Sequence, residues 1–106
     1  MECRVSVAMA SYNGAPDIAL QIESILKNLE EYDELVISDD GSTDNTVEII
    51  KRYAKDDRRI RLVKGPGNGV KANFTNAMKN CRGKYIFLSD QDDIWFDDKV
   101  KKVVPL

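Results

Sequence analysis

The sequence has no histidine among its 106 residues and has only two cysteines. The lack of histidine excludes catalytic triads built on imidazole, histidine acid–base chemistry and the commonest zinc ligand. Cys3 and Cys81 lie far apart in the sequence and match no metal-binding spacing. We therefore expect two reduced thiols in or near the core.

The sequence also lacks an excess of one charge and lacks a long apolar run. Sixteen basic and 18 acidic residues give a net charge of -2, which argues against a nucleic-acid partner. No stretch reaches the roughly 20 apolar residues that a membrane span needs, and the N-terminus lacks the apolar run of a signal peptide. We expect one soluble, cytoplasmic domain.

Short apolar runs predict strands at residues 5–10, 34–38, 59–63 and 85–88. Apolar residues at helical spacing between these runs predict three intervening helices, and a partial helix is expected from about residue 97. This alternation favours right-handed crossovers and therefore a Rossmann-like, doubly wound α/β fold. Its sheet would be mainly parallel, of about four strands, flanked by helices.

Polar clusters follow three of these strands, at residues 11–14, 39–44 and 90–93. In parallel sheets, ligands bind beyond the carboxyl ends of the strands, so the clusters predict a binding face. Asp90, Asp92 and Asp93 would repel one another unless a cation lay between them, and Mg²⁺ or Mn²⁺ prefers such oxygen ligands. The alternative is an acidic, solvated turn that caps the following helix.

Each polar residue has a functional and a purely structural interpretation. Asp40 could accept hydrogen bonds from a base or a ribose hydroxyl, or could serve with Asp39 as a turn and helix-start residue. Tyr12 could stack on a flat ring or cover the end of the sheet. Lys71 could meet a phosphate or a base carbonyl, or could be a solvated lysine. The glycine-rich loop at 65–69 lacks a Gly-Lys-Ser/Thr ending, so a flexible connector is favoured over a phosphate cradle.

Three segments, 5–14, 36–44 and 85–95, resemble the nucleotide-binding half of family 2 glycosyltransferases with the GT-A fold. Their order and spacing make the resemblance specific, and it covers nearly the whole chain. The acidic loop Ser-Asp-Gln-Asp-Asp-Ile-Trp is most similar to bacterial members that build polysaccharides, including rhamnosyltransferase-like proteins. The resemblance implies a nucleotide-diphosphate-sugar donor (UDP, dTDP or GDP linked), a divalent metal, and a saccharide or lipid-linked acceptor.

The resemblance also implies roles for individual residues. Asp90-Gln91-Asp92 matches the family's Asp-x-Asp motif, so Asp92 would ligate the metal and Asp90 would lie nearer the ribose. Asp40 would contact the base. Further contacts to the nucleotide are implied for Tyr12, for the backbone near Ala10 and Ser11, and for Lys71.

Family members are longer than this chain, and their acceptor-binding half and acidic catalytic base follow the Asp-x-Asp motif. We therefore expect residues 1–106 to form the donor-binding part of an inverting enzyme, with its base beyond Leu106. This part alone would be inactive in transfer, and peripheral membrane association would come from the absent parts. Two alternatives remain at this point: a non-catalytic, receiver-like α/β signalling module, and a folded remnant that binds no ligand.

Overall fold

A computed structural model describes residues 3–90 of the chain, with the backbone alone described at Asp90. Strands and helices alternate as the sequence predicts. The elements are β1 (Val5–Ser11), α1 (Ala15–Leu26), β2 (Glu34–Asp39), α2 (Thr46–Asp56), β3 (Ile60–Lys64), α3 (Val70–Lys79) and β4 (Tyr85–Asp90). Within residues 3–90, none of the helices has the length and apolar character needed to traverse a bilayer.

The sheet has the strand order β3-β2-β1-β4, and every pair of neighbours is parallel. This confirms the predicted parallel, doubly wound α/β fold. The chain moves one way across the sheet from β1 to β3 and then returns past β1 to β4. Right-handed crossovers therefore place α1 and α2 on one face and α3 on the other, where α3 contacts β1 and β2. The direction reverses between β1 and β4, the kind of position where open α/β sheets bind ligands.

The main core lies between the sheet and helices α1 and α2. Ile18, Ile22 and Ile25 form one fully buried stripe of α1, because their spacing puts them on the same side of the helix. They pack in a cluster that includes Val5, Val7, Met9, Leu35, Ile37 and Ile50. Burying each such side chain stabilises the fold by about 1.5–3 kcal/mol relative to exposure. The predicted apolar stripe of α1 is thus confirmed.

All four strands continue further toward their carboxyl ends than the sequence predicts, reaching Ser11, Asp39, Lys64 and Asp90. The added residues are polar, so an apolar pattern cannot reveal them. They remain in the sheet because a parallel neighbour completes their backbone hydrogen bonding, with Ser11 paired to Asp39 and Ala10 paired to Asp90. The polar clusters therefore begin inside the sheet rather than after it.

Helix α2 begins at Thr46, and neither of the hydroxyl residues before it, Ser42 and Thr43, caps it. The Ser42 hydroxyl is used elsewhere, because it donates to Oδ1 of Asp39 at 2.6 Å. Instead, Asp44 accepts a hydrogen bond from the backbone N–H of Thr46 at 3.0 Å. Its carboxylate meets the positive end of the helix, as expected from the helix dipole.

Candidate functional site

The carboxyl ends of β1, β2 and β4 lie side by side and form one rim of the sheet. Ser11 is opposite Asp39 on one side, and Ala10 is opposite Asp90 on the other. The chain then continues from β2 so that the Asp40 N–H donates to the Ser11 carbonyl at 3.0 Å. Four of the predicted site residues, Ala10, Ser11, Asp40 and Asp90, are therefore brought together by the sheet itself.

Asp39 holds this rim together from within and is buried. Its Oδ1 accepts the Ser11 hydroxyl at 2.7 Å and the Ser42 hydroxyl at 2.6 Å. Its Oδ2 accepts the backbone N–H groups of Gly41 at 3.1 Å and Ser42 at 2.9 Å. Both carboxylate oxygens are thus used to fix the turn after β2, which confirms the turn interpretation for Asp39.

The loops after β1 and β2 are also joined to each other. The backbone N–H of Asn13 donates to Oγ of Ser42 at 2.9 Å, and Oδ1 of Asn13 accepts the Thr43 N–H at 2.8 Å. Asn13 has a φ of 51°, a left-handed conformation that asparagine tolerates better than most residues. Below it, the Gly14 N–H donates to Oγ1 of Thr46 at 2.9 Å. These contacts make the two loops one unit.

Asp44 takes part in the same unit. Its carboxylate accepts from the Ala15 N–H at 3.2 Å as well as from Thr46. The hydrogen bond from the Thr46 hydroxyl, with backbone N–H donors, lowers the pKa of this exposed carboxyl below its usual value. It therefore links the starts of α1 and α2 as an anion.

Asp40 is half-buried, and its carboxylate meets the glycine-rich loop that follows β3. Oδ1 accepts the Gly67 N–H at 2.6 Å. Two residues earlier, the Gly65 N–H donates to the Asp39 carbonyl at 2.7 Å. The loop is thus attached to the rim at two points, so it does more than the flexible connector favoured by the sequence pattern.

Tyr12 and Lys71 have exposed side chains. Tyr12 directly follows β1 and is 52% exposed. Lys71 lies in the first turn of α3, beside a shallow surface depression of about 510 Å³ that Pro66 and Asn68 of the glycine-rich loop also line. Ala10, in contrast, is 8% exposed, so it offers the rim mainly its backbone. The ligand contacts of these residues stay predictions.

The predicted metal ligand, Asp92, and its neighbour Asp93 lie outside the described residues. Within residues 3–90, no group of three or more His, Cys, Asp or Glu side chains could hold a metal ion. The strand β4 nevertheless carries the chain to the rim at Asp90, directly before the remaining acidic residues. Carboxylate oxygens are the donors that Mg²⁺ and Mn²⁺ favour, so this donor set fits the expected cation.

Sequence reasoning missed Asn73, which is 2% exposed on the sheet-facing side of α3. Its Nδ2 donates to the Ser11 carbonyl at 3.3 Å, so α3 is attached directly to the end of β1. One signal could have revealed it. Asn73 occupies an inward position one turn before Ala77, and a buried amide requires hydrogen-bond partners.

Comparisons with known proteins agree with this fold. The family Glycosyl transferase family 2 matches residues 6–106. The putative teichuronic acid biosynthesis glycosyltransferase TuaG of Bacillus subtilis is 37% identical over 99 residues, covering 92% of this chain and 39% of that protein. The UDP-Glc:alpha-D-GlcNAc-diphosphoundecaprenol beta-1,3-glucosyltransferase WfaP of Escherichia coli is 34% identical over 100 residues, covering 94% of this chain and 39% of that protein.

A solved structure agrees as well. The mannosyltransferase PcManGT of Pyrobaculum calidifontis, in complex with GDP-Man and Mn²⁺, is 26% identical and superposes with a TM-score of 0.81. The match covers 92% of this chain and 30% of that protein.

Together, the parallel sheet and its polar rim define a doubly wound α/β domain with the kind of strand-end rim at which such sheets bind ligands. The chain belongs to glycosyltransferase family 2 and has the architecture of the N-terminal half of its GT-A fold. It spans about 39% of the length of the curated relatives reported above. The expected family is therefore confirmed, whereas the likeness to rhamnosyltransferase-like members stays a prediction.

Proposed function

We propose that residues 1–106 form the donor-binding part of a glycosyltransferase and bind a nucleotide-diphosphate-sugar. One observation carries the proposal: the ends of β1, β2 and β4 converge on one rim beside the reversal point of the sheet. WfaP is named for a UDP-glucose donor and PcManGT was solved with GDP-mannose, which supports this class of ligand. UDP, dTDP and GDP remain the candidate nucleotides.

In this proposal, the nucleotide lies across the rim with its base near Asp40. A carboxylate acceptor there suits a base that presents a ring N–H, and Tyr12 supplies an exposed aromatic ring for stacking. The backbone at Ala10 and Ser11 forms the floor. Lys71, at the edge of the neighbouring depression, supplies positive charge toward the phosphates.

Asp92 would hold Mg²⁺ or Mn²⁺, with Asp90 nearer the ribose. The cation would neutralise the diphosphate as it leaves, which requires no proton transfer from a residue of this chain. The Mn²⁺ in the PcManGT complex supports a divalent metal of this kind.

The whole protein would transfer the sugar with inversion to a saccharide or lipid-linked acceptor in bacterial polysaccharide synthesis. WfaP is named for a diphosphoundecaprenol-linked acceptor and TuaG for teichuronic acid biosynthesis. Acceptor binding and the catalytic base would belong to parts beyond Leu106, so the 106-residue chain would bind donor without transferring sugar. The proposal places this domain in the cytoplasm.

Titration calorimetry of the 106-residue chain with UDP, dTDP and GDP, with and without Mn²⁺, tests the proposal. We expect saturable binding of at least one nucleotide that Mn²⁺ strengthens. Asp40→Asn and Asp92→Asn should each weaken it by about tenfold or more, since each removes one charged contact. Asp56→Asn is the matched control, because Asp56 is exposed at the far end of α2. A folded sample that binds none of the three nucleotides would overturn the proposal.

The receiver-like alternative makes a different prediction. Such a module would be phosphorylated on an aspartate by acetyl phosphate, whereas a donor-binding domain would remain unmodified. Intact-mass measurement after incubation with acetyl phosphate and Mg²⁺ separates the two. A stoichiometric phosphoryl adduct would favour the signalling module.

A further inference from the structure

At Gly65, the glycine-rich loop lies so close to the rim that a residue with a side chain would not fit there. A Cβ added at Gly65 would lie 2.6 Å from Oδ1 of Asn73, 2.7 Å from Oδ1 of Asp40 and 2.9 Å from the Asp39 carbonyl oxygen. Gly65 does not have one of the positive φ angles found at Gly41, Gly67 and Gly69. The requirement for glycine at this position is therefore one of space.

Asn73 closes the other side of this contact. It is 2% exposed, and its Nδ2 donates to the Ser11 carbonyl. Its Oδ1 has no hydrogen-bond partner among residues 3–90 and lies against Gly65. The Asn73 amide, which α3 holds in place, and the Asp40 carboxylate thus lie on two sides of residue 65. Glycine is the residue small enough to fit between these two side chains.

The result is a fixed orientation of the Asp40 carboxylate. Oδ1 is engaged by the Gly67 N–H at 2.6 Å, and Gly65 limits how far that oxygen can move. For Oδ2, no hydrogen bond exists within the described part of the chain. The carboxylate thus has one oxygen committed to the loop and one left to accept from a ligand.

We propose that Gly65 and Asn73 are positioning residues that aim Oδ2 of Asp40 at a ring N–H of the nucleotide base. This proposal rests on the proposed function. The ligand class that it selects is a base with an N–H donor at its ring edge, as in uracil and thymine at N3 and guanine at N1. Methylation of that nitrogen removes the donor and places an apolar group against a carboxylate.

The test compares binding of a nucleotide with binding of its methylated counterpart. The probe is whichever of UDP, dTDP and GDP the 106-residue chain binds most tightly, against the N3-methyl or N1-methyl form, each with Mn²⁺. We expect the unmodified chain to prefer the parent nucleotide by about tenfold or more. In Gly65→Ala and in Asn73→Ala, this preference should fall to within about threefold, because the Asp40 carboxylate is no longer held in its orientation.

Gly83→Ala is the matched control. A Cβ at Gly83 would lie 2.6 Å from the Ser6 nitrogen, an equally tight contact near the amino ends of β1 and β4, away from the rim. It should lower the melting temperature as Gly65→Ala does, yet keep the preference for the parent nucleotide. Combining Asp40→Asn with Gly65→Ala should leave the preference as in Asp40→Asn alone, since both changes remove the same contact.

The outcomes separate this inference from the proposed function. If no nucleotide binds to the folded chain, the proposed function fails. If nucleotides bind and the preference survives in both folded variants, Gly65→Ala and Asn73→Ala, only the positioning role is overturned. Should one variant fail to fold, the other decides the question by the same ratio, which a general loss of stability would leave unchanged.

Discussion

The hydroxyl of Ser11 donates a 2.7 Å hydrogen bond to Oδ1 of Asp39, and the same two residues are register partners at the ends of β1 and β2. Because side chains alternate along a strand, Asp39 and Asp40 are directed to different sides of the sheet. Asp39 meets the end of β1 and the loop that precedes α2, and Asp40 meets the loop that precedes α3. Two adjacent aspartates therefore have different partners: Asp39 fixes the turn after β2, and Asp40 is attached to the loop at 65–69.

Asp39→Asn should lower the free energy of unfolding by about 1–3 kcal/mol. The carboxylate accepts from two hydroxyls and two backbone N–H groups, whereas an amide offers a single acceptor oxygen and directs an N–H₂ group at some of these donors. Urea unfolding followed by circular dichroism measures the loss. Glu48→Gln, an exposed carboxylate on α2, is the control and should change stability by less than about 0.5 kcal/mol. Equal stability of Asp39→Asn and the unmodified chain would contradict this account of the rim.

The fold was predictable from the sequence because its signals are local and repeated. The buried strand residues and the stripe of Ile18, Ile22 and Ile25 follow the two regular periods of side-chain direction. The positions of Ser11, Asp40 and Asp90 at one rim followed from the alternation of strands and helices.

The difference between the hydrogen-bond partners of Asp39 and those of Asp40 was not predictable in the same way. It depends on the loop at 65–69 and on Asn73, both of which reach the rim from distant parts of the sequence. No local pattern specifies which loop will approach a given carboxylate, or that Gly65 is needed for space rather than for its backbone angle. Such contacts become visible only when the strands are placed side by side.

Glu34 should make stability depend on pH. Its side chain is 3% exposed. Burial alone would raise the pKa, but the Ser6 hydroxyl, the Arg82 N–H and the Arg61 guanidinium outweigh it, so the pKa of Glu34 lies below its ordinary value of 4.5. A carboxyl whose pKa is lower in the folded chain than in the unfolded chain stabilises the fold at pH values above its unfolded pKa. This contribution should be present above about pH 4.5 and should be lost as the pH falls further, through the folded pKa.

Glu34→Gln should therefore lower the free energy of unfolding by about 1–3 kcal/mol at pH 7. Below pH 4.5, the free energy of unfolding of this variant should fall less with decreasing pH than that of the unmodified chain. Unfolding curves recorded between pH 7 and pH 3 test both parts. Glu31→Gln is the control, because its ion pair with Arg58 is exposed on both sides and contributes little. Parallel pH profiles for Glu34→Gln and the unmodified chain would show that this carboxylate does not titrate as proposed.

The Cys81 thiol should react slowly in the folded protein. Burial, with the nearby negative charge of Glu34, raises its pKa from 9.0 to about 11. The thiolate fraction at pH 8 is then about a hundredfold smaller than at the ordinary value, and the thiolate is the reactive form. A Cys3→Ser variant leaves Cys81 as the remaining thiol, so its reaction with an aromatic disulfide reagent can be followed alone.

In that variant, we expect a rate at least about a hundredfold lower in buffer than in denaturant at the same pH. The converse variant, Cys81→Ser, reports Cys3, whose pKa burial also raises. A Cys81 rate that is the same in buffer and in denaturant would show that the thiol is neither buried nor near Glu34.

Arg59, in the turn directly before β3, should stabilise the end of α1. Its Nη1 donates to the carbonyls of Leu26 at 3.1 Å and Leu29 at 2.8 Å, while Asp57 accepts from Nε at 3.0 Å and from Nη2 at 2.7 Å. Helix α1 has no basic residue in its own last turn, so this guanidinium supplies positive charge at its carboxyl end. The Leu26 carbonyl that it meets also accepts the Leu29 N–H at 3.2 Å.

Arg59→Lys should lower the free energy of unfolding by about 1–2 kcal/mol, because a single ammonium cannot match the planar fork that meets two carbonyls and a carboxylate at once. Arg58→Lys is the matched control in the neighbouring position. Arg58 pairs with Glu31 at 3.0 Å, and the side chains are 75% and 66% exposed, so its replacement should change stability by less than about 0.5 kcal/mol. Urea unfolding of the two variants measures the difference. If they were equally stable, the hydrogen bonds from Arg59 to the end of α1 would contribute no net stability.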